Sequence, residues 1–152
     1  MRLVSLCPSN TELLAYLQAT ELLVGVDDYS DWPEAIKTLP KLGPDLNIDI
    51  QKVRALKPDL VLASLSVPGM EKNIEGLKAA GLPYIILNPS SLEDIIQDVC
   101  RLGILINKED KANQLAQKMR TQINHYRTRY GSLDIQSTIY WEWWPNPVLT
   151  PS

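Results

Sequence analysis

Short apolar runs alternate with helix-patterned segments through the first hundred residues, and this alternation constrains the fold more than any single motif. The run 3–6 is followed by Pro8-Ser9-Asn10-Thr11-Glu12 and then by Leu13, Leu14 and Leu17 at helical spacing. Ser9 with Glu12 three residues on has the capping-box pattern, which predicts a helix start at that point. Further strands are predicted at 22–26, 60–63 and 84–87. Between them the pattern predicts a helical turn at 33–37, an extended loop at 39–44, and a helix capped by Asn47 that runs to Leu56. A third helix is opened by Pro68 and closed near Gly81, a typical residue just past a helix end. A fourth runs from a second capping box, Ser90 with Glu93, to Ile106. Strands separated by helical stretches of this length make βαβ units, so the expected fold is α/β, a parallel sheet flanked by helices.

The remainder is different. Between 108 and 130, Ala112, Leu115, Met119, Ile123 and Tyr126 recur at steps of three and four, with Glu109 and Asp110 at the start and Arg127 and Arg129 at the end. That stripe and charge order predict one helix roughly 34 Å long, ended by Gly131. Next comes Ile139-Tyr140-Trp141-Glu142-Trp143-Trp144-Pro145, with three of the four tryptophans in four consecutive positions. As a strand, this run puts Trp141 and Trp143 on one face and Tyr140, Glu142 and Trp144 on the other. Two readings stay open: an interior strand of a larger core, or a stacking surface for a flat ligand. In either case the exposed indoles would form an apolar patch that favours self-association.

Composition excludes several classes. A net charge of −3 without a Lys/Arg block argues against a nucleic-acid footprint. Two cysteines and one histidine give neither metal-ligand spacing nor a disulfide framework. No apolar run approaches the ~20 residues of a membrane span, and the start of the chain is too short for a secretory leader. No Gly-rich phosphate loop follows the first strand, so neither a nucleotide cofactor nor any other cofactor is expected.

Ligands of open α/β sheets bind beyond the carboxyl ends of the strands. The loops there are 7–10, 27–32, 64–69 and 88–91, and their candidate ligand residues are Pro8, Ser9, Asn10, Tyr29, Trp32, Ser66 and Asn88. The first and last loops lead into helix N-termini, which receive polar or acidic groups; for Ser9 and Ser90 helix capping alone is the competing role. Asp27, Asp28 and Asp31 are interspersed with Tyr29 and Trp32 and either hold a hard cation or solvate the loop. Cys7, before a helix, pairs with His125 in the enzymatic alternative.

Arg2-Leu3-Val4-Ser5-Leu6-Cys7-Pro8-Ser9-Asn10-Thr11-Glu12-Leu13, Leu23-Val24-Gly25-Val26, Tyr29-Ser30-Asp31-Trp32-Pro33 and Leu56-Lys57-Pro58-Asp59-Leu60-Val61 resemble, in order, the periplasmic-binding family for vitamin B12 and ferric siderophores. The aromatic run before Pro147–Pro151 is similar to its cobalamin-binding branch. The resemblance implies a Rossmann-like N-terminal lobe at 1–107, a connecting backbone helix at 108–131, and at 132–152 the start of a C-terminal lobe that this chain does not complete. It implies a non-enzymatic substrate-binding component of an ABC importer, with a cobalamin, another corrinoid or an iron chelate bound between two lobes. Tyr29, Trp141, Trp143 and Trp144 would face that ligand, and Glu71 would dock on an ABC permease. Ser64 and Ile86 stand where cobalamin receptors carry tryptophans, which widens the implied ligand class to siderophores and haem. The implied location is periplasmic or cell-surface; a cytoplasmic small-molecule-binding protein without a transport role is the alternative.

Overall fold

Four short strands form where the apolar runs predict them: β1 (Leu3–Ser5), β2 (Leu23–Val26), β3 (Leu60–Ser64) and β4 (Tyr84–Leu87). They pair in parallel in the order β2-β1-β3-β4, with Leu3 opposite Leu60 and Ser64 opposite Leu87. The structure, a computed structural model, describes residues 1–131 and, as backbone, the strand residues 144–145 and 148–149.

A parallel sheet must be covered on both faces. Side chains alternate along each strand, so neighbouring residues serve opposite cores. Leu3 and Leu62 join Leu14 of α1 (Pro8–Tyr16), Val99 and Leu102 of α4 (Leu92–Leu105), and Ala112 of α5 (Glu109–Tyr130). Val4, Val61 and Ala63 join Val53 of α2 (Ile50–Ala55), Leu77 of α3 (Glu71–Ala79), and Leu42 and Ile48 from the long loop before α2. Each fully buried Leu or Val stabilises the fold by about 1.5–3 kcal/mol, so the sheet is clamped from both sides. The outer edge of β2 is also covered: Val26 N–H donates to the Pro40 carbonyl (3.1 Å), and Leu42 N–H donates to the Val26 carbonyl (3.0 Å). On the α4–α5 side, a Cβ on Gly103 would lie 2.2 Å from the Ala112 Cβ, so only glycine lets these helices approach so closely.

Helix starts depart from the sequence expectations by one to three residues. α1 begins at Pro8 with Cys7 as its cap residue, so Ser9 lies inside the first turn and caps nothing. Proline needs no N–H partner at a first helical position and draws the start forward. Asp49, not Asn47, caps α2, its carboxylate accepting from the N–H groups of Gln51 and Lys52 at 3.0 Å each. Asn47 N–H instead closes a turn on the Pro44 carbonyl (2.7 Å). α3 starts at Glu71, because Pro68 and Gly69 form a preceding turn in which Gly69 has φ +104°. Gly81 follows the helix end with φ +65°, as expected. Ser91, not Ser90, caps α4, accepting from Asp94 N–H at 3.1 Å; Glu93 pairs with Arg120 instead (2.7 Å).

The stripe along α5 is used chiefly in its first half, where Ala112 and Ala116 are buried and Leu115 and Met119 pack on the first core, whereas Tyr126 is exposed. The chain divides into two compact units, Met1–Arg120 and Thr121–Ser152, the boundary falling inside α5. In the second unit Tyr126 and Tyr130 stack with ring centroids 6.1 Å apart. There β5 (Trp144–Pro145) also pairs antiparallel with β6 (Val148–Leu149). Trp141 and Trp143 lie outside the described residues. Trp144 is described by its backbone alone.

Candidate functional site

The strand order creates a crevice. The connection from β1 leads to β2 on one side, while that from β3 leads to β4 on the other, so chain direction diverges between β1 and β3. At such a switch point the loops leaving the carboxyl ends separate and open a space for a ligand. Pro8, Ser9 and Asn10 come from the β1 side and Ser66 from the β3 side. Tyr29 and Trp32 follow β2 at one flank, and Asn88 follows β4 at the other.

Within the crevice the side chains differ in availability. Ser9 is exposed on the first turn of α1, its Oγ 3.3 Å from the Cys7 Sγ. Asn10 is only 2% exposed, and its Nδ2 donates to the Ala63 carbonyl at the end of β3 (3.1 Å). Asn10 therefore ties the two walls together from behind. Ser66 N–H donates to Ser64 Oγ (3.1 Å), and the two hydroxyls are 2.9 Å apart, a local turn that shapes the second wall. Neither α1 nor α3 carries a side-chain cap hydrogen bond, whereas α2 and α4 do. The N-terminal partial positive charge of α1 thus has no side-chain cap, whereas the first turn of α3 carries the Glu71 carboxylate.

The loop after β2 resolves the three acids into three different jobs. Asp27 is fully buried; its carboxyl group meets the Ser30 hydroxyl and accepts from the Tyr29 N–H (2.9 Å). Burial pushes its pKa above the ordinary carboxyl value, opposed by those hydrogen bonds and by Lys41, and reinforced by Asp45. Asp28 accepts from Gly43 N–H (3.0 Å), and Asp31 is exposed. They do not converge on a cation; among the described residues no group of three or more His, Cys, Asp or Glu does. Asp27 is fixed inward and Asp28 is tied to the Gly43 N–H, and Tyr29, between them and Ser30, points outward, 60% exposed. Trp32 is 48% exposed, and its ring lies 5.7 Å from that of Tyr16 on the last turn of α1, so the two form an exposed aromatic pair beside the helix.

Asn88 is exposed beyond β4. Glu71 is exposed on the first turn of α3, where its Oε2 accepts from Gly69 N–H (2.7 Å). Beside it runs an open depression of about 290 Å³ lined by Leu65, Glu71, Ile74, Glu75, Lys78 and Tyr84. Cys7 is buried, and His125 belongs to the second unit, edge-on to Tyr126 at 5.5 Å. The residues that sequence reasoning missed are Ser5, Thr11 and Ser30, which join Asp27 in a buried polar group beneath the candidate loops. Their one signal is the polar residue at each carboxyl end, Ser5 and Asp27, directly after apolar strands.

The crevice offers an aromatic face, hydroxyls and two helix ends, a constellation suited to binding rather than bond breaking. Residues 3–151 match the family described as periplasmic binding protein. A vitamin B12-binding protein of Yersinia pestis is 31% identical over 151 residues, 99% of this chain and 53% of the relative. The crystal structure of a periplasmic vitamin B12-binding protein of Vibrio cholerae superposes with a TM-score of 0.78 at 26% identity, covering 86% of this chain and 51% of that one. A periplasmic heme-binding protein of Pseudomonas aeruginosa gives 0.71 at 28% identity, covering 84% and 46%. The chain thus spans about half the length of these relatives. All three are described as binding proteins, in agreement with the expectation of a non-enzymatic chain. No described helix is long and apolar enough to cross a membrane.

Proposed function

The chain belongs to the periplasmic binding protein family, and from that premise we propose that it is the substrate-binding part of an ABC import system for a bulky metal-chelate ligand. The ligand class is corrinoid, haem or ferric siderophore, and the working compartment is outside the cytoplasmic membrane. One observation carries this reading: the loops after β1 and β3 diverge at a switch point flanked by the exposed ring of Tyr29. A rigid aromatic beside uncapped helix ends suits a large flat ligand with polar or acidic substituents, because the ring supplies stacking area and the helix ends supply donors. The B12- and heme-binding names of the relatives support the same class. Glu71, held on the first turn of α3, is the permease-docking residue in this reading.

Titration with cyanocobalamin, haemin and a ferric hydroxamate, read by calorimetry, tests the proposal. One of the three should bind, and Tyr29→Ala should weaken it about tenfold, the size of one stacking contact. Binding of none, or binding indifferent to Tyr29, would overturn the reading. Glu71→Ala should leave that affinity unchanged while reducing stimulation of the cognate permease ATPase.

A further inference from the structure

Beneath the candidate loops, five buried oxygen contacts join Cys7, Ser5, Thr11, Ser30 and Asp27; four make a line, and the fifth, from Thr11 Oγ1 to the Cys7 carbonyl, is the longest at 3.4 Å. Ser5 Oγ lies 3.1 Å from the Cys7 carbonyl, Thr11 Oγ1 lies 2.8 Å from Ser5 Oγ and 2.8 Å from Ser30 Oγ, and Ser30 Oγ meets Asp27 Oδ1. All four side chains are buried, Ser30 being 1% exposed and the others 0%. Three hydroxyls supply three hydrogens, but the line has four contacts. A carbonyl has none to give, so the first contact uses the hydrogen of Ser5. The second then needs that of Thr11 and the third that of Ser30. The fourth is left to Asp27.

We propose that Asp27 is a positioning residue whose carboxylic acid proton completes this relay, directing every hydroxyl toward the Cys7 carbonyl and so coupling the Tyr29 loop to the Pro8-Ser9 turn. When Asp27 gives its proton to water, Ser30 turns its hydrogen to the carboxylate, and three hydrogens must then serve all the contacts of the line. The change is passed to the hydrogens of Thr11 and Ser5, both of which reach the Cys7 carbonyl. Because Cys7 is the cap residue of α1, a protonation event behind Tyr29 is felt at the first turn that carries Ser9.

The surroundings fit this assignment. Full burial favours the neutral acid, in the direction found for Asp27. From the long loop, Lys41 donates through Nζ to the Asp27 carbonyl (3.2 Å) and favours the ionised form, whereas Asp45 opposes it. The β1–α1 side presents the hydroxyls and the Cys7 carbonyl. The neutral acid also keeps Oδ2 free to accept from Tyr29 N–H. The consequence for ligand capture rests on the reading of Tyr29 and Ser9 as ligand-facing. The relay itself does not, so its test uses no ligand.

The test is a carbon-13 titration of the Asp27 carboxyl in the full chain, with amide shifts followed in parallel. The expected midpoint lies above the ordinary value of about 3.9, with Tyr29, Ser9 and Asn10 amides shifting at the same pH. Thr11→Val should abolish the response at Ser9 and Asn10 and keep it at Tyr29. The sign of the stability change is fixed by linkage. Between the unfolded and folded midpoints the native state holds one more proton, so stability falls as pH rises. The unfolding constant of the wild type should therefore grow by up to about tenfold per pH unit relative to Asp27→Asn, whose amide replaces the acid donor and cannot titrate. A midpoint at or below the ordinary range, or Ser9 and Asn10 amides indifferent to it, would overturn the proposal.

Discussion

The helices that follow the inner strands begin differently from those that follow the outer ones. After β2 and β4, at the rims of the sheet, α2 and α4 take side-chain caps from Asp49 and Ser91. After β1 and β3, at its centre, α1 and α3 begin without one. A side-chain cap contributes typically ~1 kcal/mol, and a helix that forgoes it keeps its first-turn donors and positive end for something outside itself. The rim is finished internally, whereas the centre is finished only from behind. Asn10 reaches across to the Ala63 carbonyl, and the Thr11 hydroxyl joins the relay to Asp27. Stability and availability are thus assigned to different helices along one edge.

The largest expected effect comes from removing the inner brace. Asn10→Leu deletes a buried donor to the Ala63 carbonyl and should cost about 1–3 kcal/mol, measured as a lowered urea midpoint at unchanged slope. A neutral result would mean that the inner helices are held by packing alone. Next come the rim caps: Asp49→Ala and Ser91→Ala should each cost about 1 kcal/mol and leave ligand affinity unchanged. Ser9→Ala should do the reverse, moving stability by no more than about 0.5 kcal/mol while weakening the ligand. If Ser9→Ala destabilises as much as Ser91→Ala, the division between rim and centre fails.

Much of this contrast was hidden in the sequence, and the reasons are local. Strands 84–87 and 60–63 were legible to within a residue because β-branched and leucine runs flanked by Pro, Ser and Asn have few other uses. The helix caps were not, because several residues in a row could serve. Ser90 and Ser91 are chemically identical, and only the structure shows that Ser91 takes the cap position, extended at φ −146° and ψ 165°. Ser9 has a good cap side chain in the wrong place, since Pro8 already opens the helix. The strand order and hence the crevice cannot be read from periodicity, which records faces and not neighbours. At the candidate site, Tyr29 and Ser66 were placed on strand-end loops by the sequence pattern alone, and they lie on such loops in the structure. Asn10 looked like another loop residue, and only the fold reveals that its amide faces inward.

The smallest effect is also the most discriminating, because two aspartates on the same edge should respond to pH in opposite directions. Asp94 on α4 is held below the ordinary carboxyl value, first by the Ser90 hydroxyl (2.8 Å), then by the Ser91 hydroxyl and the Ser90 N–H (3.0 Å). Its folded pKa is depressed, so between the folded and ordinary values the unfolded chain binds the extra proton. The stability it contributes is complete above the ordinary value and is lost as pH falls through that window. Asp27 has the opposite sign, losing stability as pH rises above the ordinary value. Asp94 is only partly buried, so its part should be small and should shrink further as salt screens it. Ser90→Ala should therefore flatten the acid limb of a urea-midpoint profile below about pH 4 and leave the limb above it untouched, whereas Asp27→Asn should change only the limb above the ordinary carboxyl value. A single variant that altered both limbs would show that rim and centre titrate as one unit, and the separation drawn between the outer and inner helices would have to be given up.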